Sequence, residues 1–67
     1  MNKWRFTEKM QSAGFSQVAF AQEIGMSKNT LNNKLNGRGY FTTREIKEIC
    51  ERLGIVDPEL MVEIFLR

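Results

Sequence analysis

The sequence predicts an all-α protein, because signals for helix starts recur along its 67 residues and no stretch alternates like a β-strand. At four places an N-cap residue lies between two apolar residues that are five apart, which is the pattern of the hydrophobic staple. The four N-cap residues are Ser16, Ser27, Thr42 and Asp57. With an amphipathic segment at the start of the chain, they predict five helices in a single compact domain, residues 1–67, with a small core.

The first helix is predicted from Trp4 to Ala13. Phe6, Met10 and Ala13 are spaced so that they share one helix face, and Gly14 ends the pattern. Trp4 lies off this apolar stripe. We expect its side chain to cover the end of the core against the last helix rather than to bind a partner.

The second helix begins near Gln17. Phe20, Ala21 and Ile24 form its inward face, and Gly25 allows the positive φ that ends a helix and turns the chain sharply. The sequence therefore predicts a short turn directly before the next helix.

The third helix follows the cap at Ser27 and has only two apolar side chains, Leu31 and Leu35. A narrow stripe thus anchors this helix and leaves a broad outer face. That face includes Lys28, Asn29, Asn32, Asn33, Lys34 and Asn36. Asn is unfavourable within a helix, but its amide can form two hydrogen bonds to the N6 and N7 edge of adenine. The outer face is therefore a candidate for reading DNA bases.

The fourth helix is predicted after a link, residues 37–41, that is too short and too mixed to act as a nucleotide-binding loop. Thr42 and Glu45 form a capping box at the start of this helix. Its inward face contains Ile46, Ile49, Cys50 and Leu53. The single Cys50 excludes an internal disulfide and is expected to be a small core residue rather than a reactive thiol.

The last helix is predicted over residues 57–67, where Asp57 suits the N-cap and Pro58 the first helical position. Its apolar residues are Leu60, Met61, Val62, Ile64 and Phe65. A single core-facing stripe needs fewer apolar residues than this. We therefore expect part of this face to bind a second copy of the chain or a different protein.

Positive charge is concentrated in the first part of the chain. Residues 1–40 contain six Lys or Arg against two Glu, whereas residues 41–67 contain four against six Asp or Glu. No carboxylate side chain occurs between Glu23 and Glu45. The basic residues within that window are Lys28, Lys34, Arg38 and Arg44. A surface that faces DNA phosphates needs such a window, because each carboxylate there would repel the duplex.

The spacing of residues within the range 17–37 matches a known motif. The matching positions are Gln17, Ala21, Gly25, Leu31, Asn36 and Gly37. At these positions the chain resembles the helix-turn-helix of the small Cro and repressor proteins of temperate phages, in which a small residue lets two helices approach and a glycine forms the turn. With the flanking helices, the resemblance covers about residues 5–56, and it implies a compact, phage-repressor-like fold. The chain also resembles the short modulator-of-repression proteins of lactococcal-type phages, which act beside a repressor.

The resemblance also implies roles for individual residues in binding double-stranded operator DNA. The base-reading or near-base positions are Ser27, Lys28, Asn29, Asn32 and Asn33. The candidate phosphate contacts are Gln17, Lys34, Asn36, Arg38, Tyr40, Thr43 and Arg44. Lys28 is suited to O6 and N7 of guanine, and Asn29 or Asn33 is suited to adenine.

Two features depart from the family pattern. Many relatives pair an Arg on the first helix with a Glu near the end of the third, but the matching positions here are Met10 and Leu35. Apolar packing can often replace a buried ion pair without loss of stability, so we expect the fold to be kept. At Val18 and Ala19, relatives usually carry a polar residue. An exposed Val beside a DNA-reading surface favours an additional role in binding protein.

These observations predict a Cro-like, sequence-specific regulator of the switch between lysis and lysogeny, acting as a dimer in the cytoplasm of a bacterial host. The alternative is a modulator that binds the cognate phage repressor and masks its DNA-binding surface. The interface of the homodimer or of the heteromer with the repressor is expected to include Val18, Met61, Ile64 and Phe65.

Other classes of function find little support in the composition. The chain has no His, one Cys and no pair of carboxylates whose spacing suggests a catalytic site, so we do not expect an enzyme. We expect no cofactor, no metal and no small-molecule substrate. Because no apolar run approaches 18 residues and no secretory segment is present, we also expect no membrane partner.

Overall fold

The computed structural model describes residues 1–66, and it contains five α-helices. They are α1 (Lys3–Ser12), α2 (Gln17–Glu23), α3 (Lys28–Leu35), α4 (Thr43–Leu53) and α5 (Pro58–Phe65). No strand occurs among the described residues. The prediction of an all-α, five-helix fold is therefore confirmed, and Arg67, the last residue of the predicted fifth helix, lies outside the described residues.

The helix starts follow from side-chain capping. Each of the predicted N-cap residues, Ser16, Ser27, Thr42 and Asp57, accepts a hydrogen bond from a backbone N–H in the first turn of its helix. Thr42 and Glu45 form the predicted reciprocal capping box. The cap of α1 was not predicted: there, Oδ1 of Asn2 accepts from the backbone N–H of Arg5 at 3.1 Å. For this reason α1 begins one residue earlier than predicted.

All five phenylalanines of the chain meet in one cluster, with Phe6 at its centre. The Phe6 ring lies 5.8 Å from Phe20, 6.0 Å from Phe41 and 6.4 Å from Phe65, measured between ring centroids. Phe15 packs edge-on against Phe20 at 5.2 Å, as the predicted staple requires. Since these residues come from α1, α2, α5 and two connecting segments, the cluster ties most of the fold together.

Three apolar residues lie differently from the expectation. Trp4 is 76% exposed, because it is two residues before Phe6 and so lies about 200° around α1 from the buried stripe. Ala13 is exposed because α1 ends at Ser12 and Ala13 only forms its C-cap. Val56 is 85% exposed because the preceding Ile55 takes the buried position, so the staple predicted for α5 buries little surface.

The apolar surplus predicted for α5 is smaller than its sequence suggests. Ile64 is fully buried, so its prediction as an interface residue is wrong. Phe65 packs against Phe6 and Phe41 and contributes mainly to the core, because its ring fills the space beside them. Met61 also packs against the core but keeps part of its surface. The exposed apolar residues in this region are Val62 and Leu66.

The cysteine has the predicted structural role. Cys50 is only 8% exposed and belongs to the core cluster. Burial raises the pKa of its thiol, which keeps it in the unreactive protonated form. The expectation of a core residue is therefore confirmed.

Candidate nucleic-acid interface

The relative position of α2 and α3 depends on the turn between them. Gly25 has a φ of 74°, and the backbone N–H of Met26 donates to the carbonyl of Ala21 at 2.9 Å, which closes α2 in a Schellman ending. Ser27 then caps α3 directly. Ala21 is 1% exposed, as expected of a small residue at the contact between two helices. The predicted helix-turn-helix geometry is thus present at the predicted positions.

Two side chains anchor α3 and leave its opposite face to solvent. Leu31 is fully buried and Leu35 is 4% exposed. Met10 is buried to the same degree as Leu35, so both positions at which the resemblance led us to expect apolar packing in place of an ion pair lie in the core. On the outer face, Lys28, Asn29 and Asn33 are exposed, whereas Asn32 is half-buried.

Lys34 does not belong to this free outer face. Its Nζ atom lies 2.8 Å and 3.0 Å from the two carboxylate oxygens of Glu45 on α4, and it also lies over the ring of Phe41. Lys34 is therefore a poorer candidate for a phosphate contact than an unpaired cation, because Glu45 balances its charge within the protein. Lys34 instead joins α3 to α4.

This ion pair makes part of the stability depend on pH. Burial alone would raise the pKa of Glu45, but the hydrogen bonds from Lys34 and from the Thr42 backbone, with the charge of Lys34, lower it on balance. A carboxyl whose pKa is lowered by folding contributes stability above its ordinary value of 4.5. That contribution is lost as the pH falls below 4.5 and then through the lower pKa that Glu45 has in the folded state.

We expect Glu45→Gln to remove the charge while keeping a side chain that can complete the capping box. At neutral pH the variant should be less stable by about 0.5–1 kcal/mol, and the difference should vanish below the folded-state pKa of Glu45. Urea unfolding followed by circular dichroism at a series of pH values measures this difference in the free energy of unfolding. Glu51→Gln is the matched control on an exposed part of α4, and an equal effect in both variants would contradict the role of Lys34.

Three of the four outward Asn residues are engaged within the protein. Oδ1 of Asn32 accepts from Nε2 of Gln17 at 3.3 Å, which couples α2 to α3. Oδ1 of Asn33 accepts from Nη1 of Arg38 at 3.4 Å. Asn36 uses its amide nitrogen to bond the carbonyl of Asn32 at 2.8 Å. Among the described residues, the side-chain amide of Asn29 alone of the four has no hydrogen bond, so both its donor and its acceptor are free.

The predicted phosphate contacts that follow α3 in the chain are all exposed, but their charged surroundings differ. Arg38 and Tyr40 are exposed beside the end of α3, and Tyr40 is 90% exposed. Thr43 is exposed at the start of α4. Arg44, although exposed, lines a surface concavity together with Glu48, a carboxylate that forms no ion pair among residues 1–66. This placement makes Arg44 a poorer phosphate contact than Arg38.

The carboxylates at the two ends of the acid-free window both form ion pairs within the protein. Glu45 bonds Lys34, and Glu23 forms an ion pair with Arg52 of α4. In contrast, Lys28 and Arg38 form no ion pair with any carboxylate of residues 1–66. The outer face of α3 therefore carries uncompensated positive charge, and the carboxylates at its borders are neutralised.

One basic residue beside this face was not predicted from the sequence. Nζ of Lys3, at the start of α1, donates to Oδ1 of Asn36 at 3.0 Å. The two residues are 33 positions apart, and no local pattern relates them. Only the tertiary fold, which places the start of α1 beside the end of α3, brings them together.

A small apolar surface adjoins the interface on α2. Val18 is 46% exposed, and Ala19 beside it is exposed as well. The side chain of Val18 thus lies at the surface, as its sequence position led us to expect, and is available to a partner.

No curated protein and no solved structure matches this chain. A family model, described as helix-turn-helix, matches residues 7–61. The match contains the whole of the range 17–37, from the start of α2 through the turn that follows α3. Within the described part of the chain, no helix is long and apolar enough to cross a membrane, and no group of three or more potential metal ligands is found.

Proposed function

The chain belongs to the helix-turn-helix family of DNA-binding transcription regulators, and from this premise we propose that it is a Cro-like regulator of a phage switch between lysis and lysogeny. It acts in the cytoplasm of a bacterial host on a specific double-stranded operator. The observation that carries the DNA-binding part of the proposal is the outer face of α3, where the side chains of Lys28 and Asn29 are exposed and have no hydrogen-bond or ion-pair partner among the described residues. The family is one of regulators rather than enzymes.

The proposed base-reading residues differ in how many of their polar atoms are still available after the hydrogen bonds within the protein are formed. Asn29 has a free amide, so it can form the two hydrogen bonds that identify adenine, and Lys28 can bond guanine. Asn33 offers mainly its N–H donors while its oxygen accepts from Arg38. Asn32 is limited in the same way by Gln17. Ser27 is occupied in capping α3, which leaves it a near-base role.

Operator binding by so small a domain requires two copies. One helix-turn-helix motif contacts few base pairs, and regulators of this class bind two half-sites about one helical turn apart. On and beside α5, the described surface offers Met61, Val62 and Leu66 for the contact between copies. We place the dimer interface among these residues.

The proposal is tested by comparing base-reading and phosphate-contacting variants on two DNA duplexes. One duplex is selected by the wild-type protein from a random pool, and the other is a scramble of the same composition. Asn29→Ala should weaken binding to the selected duplex by about 1–3 kcal/mol and hardly change binding to the scramble. Arg38→Ala should weaken binding to both duplexes alike, because phosphates carry no sequence information.

Fluorescence anisotropy of labelled duplexes measures both effects. Gln11→Ala, an exposed amide on α1 away from the interface, is the control and should bind like the wild type. Ala is a better helix former than Asn, so loss of the fold does not complicate Asn29→Ala. Equal losses on the two duplexes for Asn29→Ala would contradict its base-reading role.

A second candidate function is that of a modulator that binds the cognate phage repressor and masks its DNA-binding surface. The exposure of Val18 beside the proposed DNA face favours it, because an apolar side chain gains nothing from phosphates. Val18→Lys distinguishes the two functions. It should strengthen or preserve DNA binding by a regulator, whereas it should abolish the complex of a modulator with its repressor.

A further inference from the structure

Lys3 lies at the end of α3, although it belongs to the first turn of α1. Its Nζ atom donates to Oδ1 of Asn36 at 3.0 Å, and Nδ2 of Asn36 donates to the carbonyl of Asn32 at 2.8 Å. The three groups form a chain of hydrogen bonds from α1 to the last turn of α3. Asn36 therefore holds the Lys3 ammonium group at a defined place beside the proposed DNA face.

The charge of Lys3 is not neutralised by this arrangement. Its partner is a neutral amide, and no carboxylate of the described residues forms an ion pair with it. An ammonium group has three N–H donors, of which Asn36 takes one. Lys3 is exposed, so the remaining donors are open to an anion from outside the protein.

We propose that Lys3 contacts a DNA phosphate, so that the interface extends from α3 onto α1, and that Asn36 acts as a positioning residue. This inference rests on the proposed function. It changes the role predicted for Asn36, because both polar atoms of that side chain already serve bonds within the protein. In this proposal Lys3, and not Asn36, makes the phosphate contact, and Asn36 holds Lys3 in place.

The distribution of charge along α3 supports the proposal. Lys28 lies at its first position, while Lys3 and Arg38 lie at its other end. A helix of eight residues is about 12 Å long, which is close to the width of the major groove. A helix in that groove would thus bring free cations towards the phosphate backbones on both sides.

A purely structural role for Lys3 is the competing explanation, since a cation at the C-terminal end of a helix stabilises it through the helix dipole. The salt dependence of DNA binding separates the two roles. Lys3→Gln removes the charge and keeps an amide donor for Asn36. It should weaken binding to the selected and scrambled duplexes by the same factor, and the log–log salt slope should become shallower by about one unit for each bound copy.

Lys9→Gln is the matched control, because it removes the same charge from another face of α1. Its slope should equal that of the wild type. Asn36→Ala should weaken binding with the wild-type slope, since it releases Lys3 but leaves its charge in place. Thermal unfolding of each variant, followed by circular dichroism, confirms that the fold is present under the binding conditions.

The outcomes separate the inference from the function on which it rests. If the wild type binds DNA with a clear salt slope and Lys3→Gln leaves that slope unchanged, Lys3 is not a phosphate contact. Wild-type affinity in Asn36→Ala would overturn the positioning role. If the wild type shows no salt-dependent DNA binding, the proposed function itself fails.

Discussion

Replacing Phe6 with alanine is expected to leave the protein largely unfolded at 25 °C. Phe6 is fully buried, and its ring contacts Phe20, Phe41 and Phe65. Replacing a core Phe with Ala costs about 3–5 kcal/mol, through the loss of apolar burial and the cavity left behind. A core in a chain of this size supplies only about 3–5 kcal/mol of net stability in total. The substitution therefore removes a free energy comparable with the whole stability.

Circular dichroism and urea unfolding measure this loss. Phe15→Ala is the matched control, because Phe15 is half-buried and its ring packs against Phe20 at the edge of the cluster. We expect that variant to stay folded with reduced stability. A cooperative unfolding transition for Phe6→Ala close to that of the wild type would show that the phenylalanine cluster does not hold the fold together.

Features determined by neighbouring residues could be predicted from the sequence. The N-caps at Ser16, Ser27 and Thr42 are formed within one helical turn, so their residue types were sufficient to locate α2, α3 and α4. The ending of α2 at Gly25 has the same local origin. For these reasons the element order and the helix-turn-helix were recognisable in the amino-acid sequence alone.

Features that depend on distant residues could not be predicted. The pairing of Lys34 with Glu45 requires the angle between α3 and α4, and the contact of Lys3 with Asn36 requires the packing of α1. From the sequence, Lys34 therefore counted as a free cation and Lys3 was overlooked. Ile64 was misassigned for a related reason, since the apolar count of α5 does not reveal how much of that face α1 covers.

The second large expected effect is a steep decrease in DNA affinity as the salt concentration rises. Three cations of the proposed interface, Lys3, Lys28 and Arg38, form no ion pair with any carboxylate of residues 1–66. Each phosphate neutralised contributes about −0.9 to the slope of log affinity against log salt concentration, so one copy should give a slope of about −2.7. Between about 50 and 200 mM salt, this slope corresponds to a loss of roughly 40-fold in affinity. Two copies bound to one operator should double the slope.

The central claim, that the outer face of α3 binds DNA, is tested most directly by this salt titration on two double variants. Lys28→Gln with Arg38→Gln removes two cations from the proposed interface, and Lys9→Gln with Lys47→Gln removes the same charge elsewhere. On the duplex selected by the wild type, the first pair should make the slope shallower by about two units per copy, while the second pair should keep the wild-type slope. Equal slopes for the two double variants, or a wild-type slope near zero, would contradict the claim.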